Sequence, residues 1–539
     1  MPTLDWIGKK AVINHHRQVP YRLLKCDPNL SAGDPESGNL LVQGDNLLAL
    51  KALLPYYAGK VKCIYIDPPY NTGNEKWIYN DAVNSPEMQR WLGKVVGAEA
   101  EDLSRHDKWL CMMYPRLSLL KDFLTQDGAI FVSIDDVELH NLRSVMDEVF
   151  GPRNFVAILA WQKRVSPAND AQYFSSDHEY VVVYARSKTD WHPHRLKRSA
   201  GQLRNYRNPD NDPRGPWNSV TYTCNKSIEE RPNLYHGVMN PNTGETIFPR
   251  KTAVWKYDAE THQEHVRRNQ LYWGSTGRAR MPRLKAFLSE MRDVVPRSVL
   301  LYNEYGHTQE ARTELLEIIA EAPFTTPKPV RLLRRILEIG SDSSSLILDS
   351  FTGSGTTGHA VLAMNKDDGG HRRFILVEMD EAICRSITAQ RLKHAVEGYT
   401  AGTTSDKAPV EGLGGGFRYC TLGEPLFDET GNIREHVKFP ELAAHVFFTE
   451  TGSPIPKQAS GKTPFLDIYE GKAVYLLFNG VMGDKSVRGG NVLTNEILRR
   501  LPPHKGTKVV YGEGCRLGAA RLKREGIVFR QIPYEVKVS

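Results

Sequence analysis

Val61-Lys62-Cys63-Ile64-Tyr65-Ile66 runs without a break into Asp67-Pro68-Pro69-Tyr70. An apolar run followed by a carboxylate and two prolines reads as a buried strand that delivers a stiff loop at its carboxyl end, where open α/β sheets place their ligands. Working outward, the apolar run Leu40-Leu41-Val42 and a helical pattern over 46–57 precede this strand. A helix around Lys108 to Leu124, a strand over 128–135 and a helix from Glu138 to Phe150, stopped by Gly151-Pro152, follow it. Such alternation predicts parallel strands joined by crossover helices, and hence an α/β fold.

From Trp161 to about Leu300 the periodicity fades, and Pro, Asn, Arg and aromatic residues take over. A second α/β stretch resumes with a helical pattern over 329–340, a strand over 346–349, a glycine loop, a helix from Thr356 and a strand over 372–380. A Thr, Ser and Gly-rich linker spans Gly398 to Gly416, after which residues 417–422 can add one more strand. Beyond Glu429 strand, helix and strand patterns alternate once more. The expected organisation is an N-terminal extension (1–34), a catalytic block (35–160), a loop-rich insertion (161–300), a second sheet block (301–425) and a smaller C-terminal α/β domain (426–539).

With 539 residues, 40% hydrophobic and 25% charged, the chain suits a globular protein of two or three domains. A net charge of +7 permits a polyanionic partner without requiring one. Its seven cysteines show no zinc-ligand spacing and no disulfide framework, so reduced thiols and no metal are expected. No stretch approaches the roughly 18 apolar residues of a membrane span, and the expected location is the cytoplasm.

Asp67, Pro68, Pro69 and Tyr70 suit one kind of chemistry. The prolines fix the backbone and remove two amide donors, so the Asp67 carboxylate and the Pro68 carbonyl can each accept a hydrogen from one amino group. An aromatic amine is a poor nucleophile because its lone pair is delocalised into the ring. Two acceptors favour a pyramidal nitrogen, which makes catalysis a matter of orientation and electrostatics. Tyr70 offers a flat face on which an extruded base can stack.

A second motif, Asp349-Ser350-Phe351-Thr352-Gly353-Ser354-Gly355-Thr356-Thr357-Gly358, follows a strand and opens a helix. Its three glycines also spell a dinucleotide fingerprint, with Glu378 at the ribose-binding distance, but a nicotinamide leaves Asp67 to Tyr70 without a task. A phosphate-binding loop needs a Lys before its Ser or Thr, and none is present.

Together these motifs resemble the amino-methylating DNA methyltransferases of the permuted β group, in which D-P-P-Y precedes F-x-G-x-G-T. The longer matches at Gly44–Leu50, Asp67–Asn74, Gly306–Ala311 and Thr326–Leu337 are similar to the modification (Mod) subunits of type III restriction systems and to their stand-alone relatives. This similarity covers roughly 35–425. It implies a Rossmann-like S-adenosylmethionine-dependent sheet with an inserted recognition region, acting on the N6 amino group of adenine in duplex DNA.

Carried over by motif, Asp67, Pro68, Pro69 and Tyr70 are the catalytic residues. Asp45 binds the cofactor adenine and Glu378 its ribose. Asp349, Phe351, Gly353, Gly355 and Thr356 form the cofactor loop, and Lys328 with Pro329 lines the cofactor pocket. Many relatives carry His-Pro-x-x-Lys-Pro where this chain has Phe324-Thr325-Thr326-Pro327-Lys328-Pro329. The resemblance makes a second copy and a helicase-nuclease (Res-type) restriction subunit candidate partners. Two alternatives stay open: transfer to another amine, on N4 of cytosine or in RNA, and a DNA-binding assembly subunit with a vestigial site. His307 at a helix start reads as structural, and any single Arg of the insertion, such as Arg204, Arg207 or Arg278, reads first as a solvated surface charge.

Overall fold

The computed structural model describes residues 4–72, 93–94, 104–169, 171–401, 408–483 and 490–532. Gly73 and Asn74, which close the expected first motif, lie outside them. Two compact units are present, one built from 1–194 and 297–539 and the other from Arg195–Pro296.

The larger unit is organised by a ten-stranded sheet. Its spatial order is Arg22–Gly33, Gly416–Pro425, Leu40–Gln43, Arg373–Glu378, Leu346–Asp349, Val61–Ile66, Leu124–Ile134, His178–Ala185, Phe155–Gln162 and Val299–Leu300. All neighbours from Gly416–Pro425 through Leu124–Ile134 pair in parallel. Leu40–Gln43, Arg373–Glu378, Leu346–Asp349 and Val61–Ile66, at the centre of the sheet, are buried almost throughout, as near-continuous Val, Ile and Leu runs require. The helices expected from periodicity form: Asn46–Tyr57, Arg105–Phe123, Leu139–Phe150, Val330–Gly340 and Thr356–Asp368. The sheet is thus interrupted after its first block and resumed, as the pattern predicts.

Two boundaries and the state of one cysteine pair differ from expectation. The segment treated as an N-terminal extension contributes the edge strand Arg22–Gly33, antiparallel to Gly416–Pro425. Register places Cys26 opposite Cys420, and the two are joined as a disulfide across 394 residues, whereas free thiols were expected throughout. Spacing rules address cysteines close in sequence, so they could not find this pair. His178–Ala185, expected inside the insertion, is a strand of the main sheet, and the separate unit begins only at Arg195.

Residues 439–532 add a four-stranded sheet of Phe465–Tyr469, Lys472–Leu476, Lys508–Gly512 and Ile527–Gln531. Tyr21 and Leu23 share one apolar core with the helix Phe439–Thr451 and this sheet. The smaller unit carries a three-stranded antiparallel sheet and a core of Tyr222, Val238, Trp255 and Trp273. Among the described residues no helix is long and apolar enough to cross a membrane.

Candidate active site

Four neighbouring parallel strands bring the motif residues to one sheet edge. In spatial order, Leu40–Gln43 delivers Asp45, Arg373–Glu378 ends on Glu378, Leu346–Asp349 opens the glycine loop and Val61–Ile66 delivers Asp67. The last two are directly paired, with Leu348 opposite Ile64. The two loops therefore share a cleft whose lining includes Asp67, Lys328, Phe351, Gly353 and Thr356.

Asp67 and Tyr70 sit in a dense polar cluster. The Tyr70 hydroxyl donates to Asp67 Oδ1 at 2.7 Å, and the Lys328 ammonium donates to Asp67 Oδ1 at 3.0 Å and Oδ2 at 2.8 Å. Lys328 was expected at the cofactor; it lines the shared cleft, but its hydrogen bonds go to Asp67 and to the Tyr70 oxygen at 2.9 Å. Burial opposes the charge on Lys328, yet Asp67 and Glu179 outweigh burial and hold its pKa above the ordinary lysine value. Burial, then Asp67 and Glu179, push the Tyr70 phenol well upward, so it stays a neutral donor. The loop is fixed from below by Trp109, whose indole N–H donates to the Pro69 carbonyl at 2.7 Å, and by Asn71, which donates to the buried Glu138.

The glycine loop is built around two acids. Glu378, 1% exposed, accepts from the Gly353 amide and from the Asp380 amide, each at 2.9 Å. Gly355 caps the helix Thr356–Asp368 at φ 80°, a conformation that disfavours any side chain. Gly358 answers a packing need, since a Cβ there would stand 2.6 Å from Leu392 Cδ2. Asp45 caps the helix Asn46–Tyr57 and pairs with the buried Arg116 at 2.9 Å.

Asp349 turns inward and accepts from the Phe351 amide at 3.0 Å and the Thr357 hydroxyl at 2.5 Å. Burial pushes its carboxyl up to about 7. Ionisation is then opposed in the folded chain but ordinary in the unfolded one, so stability falls as pH rises from about 4 to about 7 and levels above that. Asp349→Asn removes this titration, and denaturant unfolding across that window is expected to show a shallower pH slope than the unaltered chain. Equal slopes would place the titration elsewhere.

S-adenosylmethionine, the cofactor implied by the resemblance, suits the residues present. The Thr352 hydroxyl in the glycine loop lines the cleft and is buried without a hydrogen-bond partner, and a ligand in the cleft can supply one. Glu378 and Asp45, expected at the ribose and the adenine, end or follow strands beside the glycine loop, and their carboxylates accept from the Gly353 and Asp380 amides and from the Leu48 amide and Arg116.

Sequence reasoning missed Lys163, Glu179 and Arg116. Glu179 is an acid just ahead of the apolar run of the strand His178–Ala185, and Arg116 is a charge within the buried face of Arg105–Phe123; each is an anomaly of pattern that marks a buried polar role. His307 caps the helix Thr308–Ile318 by accepting from the Glu310 amide, the structural role expected of it.

Comparison with known proteins follows the same residues. A family model described as "DNA methylase" matches 61–390, a span that runs from the strand before Asp67 past Glu378. The chain is 33% identical over 402 residues to the type III restriction-modification enzyme StyLTI Mod subunit of Salmonella typhimurium, covering 72% of this chain and 60% of that subunit. It is 32% identical over 469 residues to the EcoPI Mod subunit of Escherichia phage P1, covering 76% and 70% respectively. Against the type II methyltransferase M.KpnI of Klebsiella pneumoniae it is 30% identical over 392 residues, covering 67% and 85%. The matched span takes in both loops and the strands that carry them, and the chain belongs to the DNA methylase family.

Proposed function

We propose that the chain transfers a methyl group from S-adenosylmethionine to the N6 amino nitrogen of adenine in duplex DNA, within a restriction-modification system. The observation that carries this reading is the single cleft lined by both Asp67 and the glycine loop. A methyl donor seated along Phe351, Gly353 and Glu378 and a base stacked on Tyr70 would meet there.

Asp67 accepts one hydrogen of the amine and the Pro68 carbonyl a second, which directs the nitrogen lone pair toward the methyl carbon. With the cofactor bound, that lone pair would take the methyl carbon while the carbon–sulfur pair stayed on sulfur. Positive charge then develops on nitrogen beside the Asp67 carboxylate, which stabilises it before the proton passes to water. S-adenosylmethionine supplies the activated methyl; the protein supplies orientation and charge.

An aromatic pair supports a nucleic-acid substrate. Tyr173 and Phe174, 85% and 95% exposed, stand in the connection between the strands Phe155–Gln162 and His178–Ala185. Apolar wedges of this kind unstack base steps, as extrusion of a base demands. The names of the relatives, subunits of larger enzymes, extend the reading to partners: a helicase-nuclease subunit and a second copy of this chain, each testable by co-purification.

Sequencing of host DNA for modified bases, with and without the gene, tests the proposal. Methylated adenine at one short sequence that disappears with the gene is the expected result. Methylated cytosine, or no change, contradicts it.

A further inference from the structure

The charge cluster under Tyr70 holds one carboxylate that the transfer chemistry leaves without a task. Glu179 Oε2 accepts from the Tyr70 hydroxyl at 3.1 Å and lies 3.4 Å from the Lys328 ammonium, while Oε1 pairs with Lys163 at 3.2 Å. Its side chain is 13% exposed and that of Lys328 8%, so neither charge is well solvated. Buried charges of this kind are paired or they are costly. Lys163 pairs with Glu179, and Lys328 with both Asp67 and Glu179, so these four side chains form one ion-pair network, with Asp135 acting on its Glu179 and Lys163 end.

That network bears directly on transfer. Lys328 covers both oxygens of Asp67, the acceptors an incoming amine must use. It also sets a positive charge beside the place where positive charge develops on the nitrogen, which opposes the reaction. An ammonium can release one carboxylate cheaply only if another lies within reach, and Glu179 is that group at 3.4 Å.

We infer that Glu179 is a positioning residue: it draws the Lys328 ammonium off Asp67 as the target amine enters, so that an Asp67 oxygen passes from lysine to substrate. This role rests on the proposed methyl transfer. Glu179 touches neither base nor methyl donor in it and acts through Lys328, with Lys163 holding Glu179 in place.

The test is a double-mutant cycle on the single-turnover methylation rate of the full chain, with duplex DNA and cofactor both saturating. Glu179→Gln is expected to slow the step by about 10- to 100-fold in the unaltered background, with the dissociation constants for cofactor and DNA unchanged. In a Lys328→Met background there is no ammonium to draw off, and the same substitution is expected to cost less than about 3-fold. Equal costs in the two backgrounds would make Glu179 merely structural, and no cost in the unaltered one would remove it from the reaction. If Glu179→Gln does not fold, Glu179→Asp is read instead: retention of rate within about 10-fold supports the role of the charge, and a larger loss overturns it. Absence of transfer by the unaltered chain would instead refute the proposed function, so the two failures are distinguishable.

Discussion

Asp67→Ala is expected to reduce the single-turnover rate of methyl transfer by about 10³-fold or more, while the dissociation constant for S-adenosylmethionine stays within about 3-fold. Removal of the carboxylate takes away the acceptor that orients the amine and the negative charge that faces the developing cation. Each effect alone is worth orders of magnitude when the chemistry needs no covalent intermediate. Cofactor affinity is spared because the Asp67 hydrogen bonds run to Tyr70 and Lys328, not to the glycine loop. The variant leaves Lys328 with Glu179 as counter-ion, which limits the cost of an unpaired buried charge. Asp67→Asn, of nearly the same shape, separates charge from packing and is expected to lose most of the rate as well. Near-normal turnover of either variant would contradict the assignment of Asp67.

Glu378→Ala is expected to weaken cofactor binding by about 100-fold and to lower the melting temperature of the cofactor-free chain. Two amides, of Gly353 and Asp380, donate to this buried carboxylate, and each left unsatisfied costs about 1–3 kcal/mol. The loop that shapes the cleft loses its anchor, and the cofactor ribose loses its acceptor. Isothermal titration of the purified variant measures the first effect and thermal unfolding the second. Unchanged affinity would move the cofactor away from Glu378 and away from the glycine loop it holds.

The parallel part of the sheet is legible in the sequence because buried parallel strands are apolar throughout. Val61–Ile66, Leu346–Asp349 and Arg373–Glu378 each announce themselves, and the acids and glycines after them mark the sheet edge. Arg22–Gly33 is not legible, since an edge strand with Pro28 and several polar residues has no apolar alternation, and its partner lies across most of the chain. The disulfide follows from that pairing and is hidden for the same reason.

In the site, Asp67, Tyr70, Gly353 and Glu378 are readable because each stands at the carboxyl end of a parallel strand or in the loop just after it. Lys163 and Glu179 come together only through the register of an antiparallel pair, in which Trp161 lies opposite Glu179. Lys328 is readable as a site residue, but its contact with Asp67 depends on a chain reversal that no local pattern encodes.

The most direct measurement is methylation of duplex DNA by the purified chain with methyl-labelled S-adenosylmethionine, followed by hydrolysis and separation of the nucleosides. Label recovered as N6-methyldeoxyadenosine, and lost with Asp67→Ala, is the predicted result. Label on cytosine, or no transfer by a folded chain that still binds the cofactor, would contradict the account.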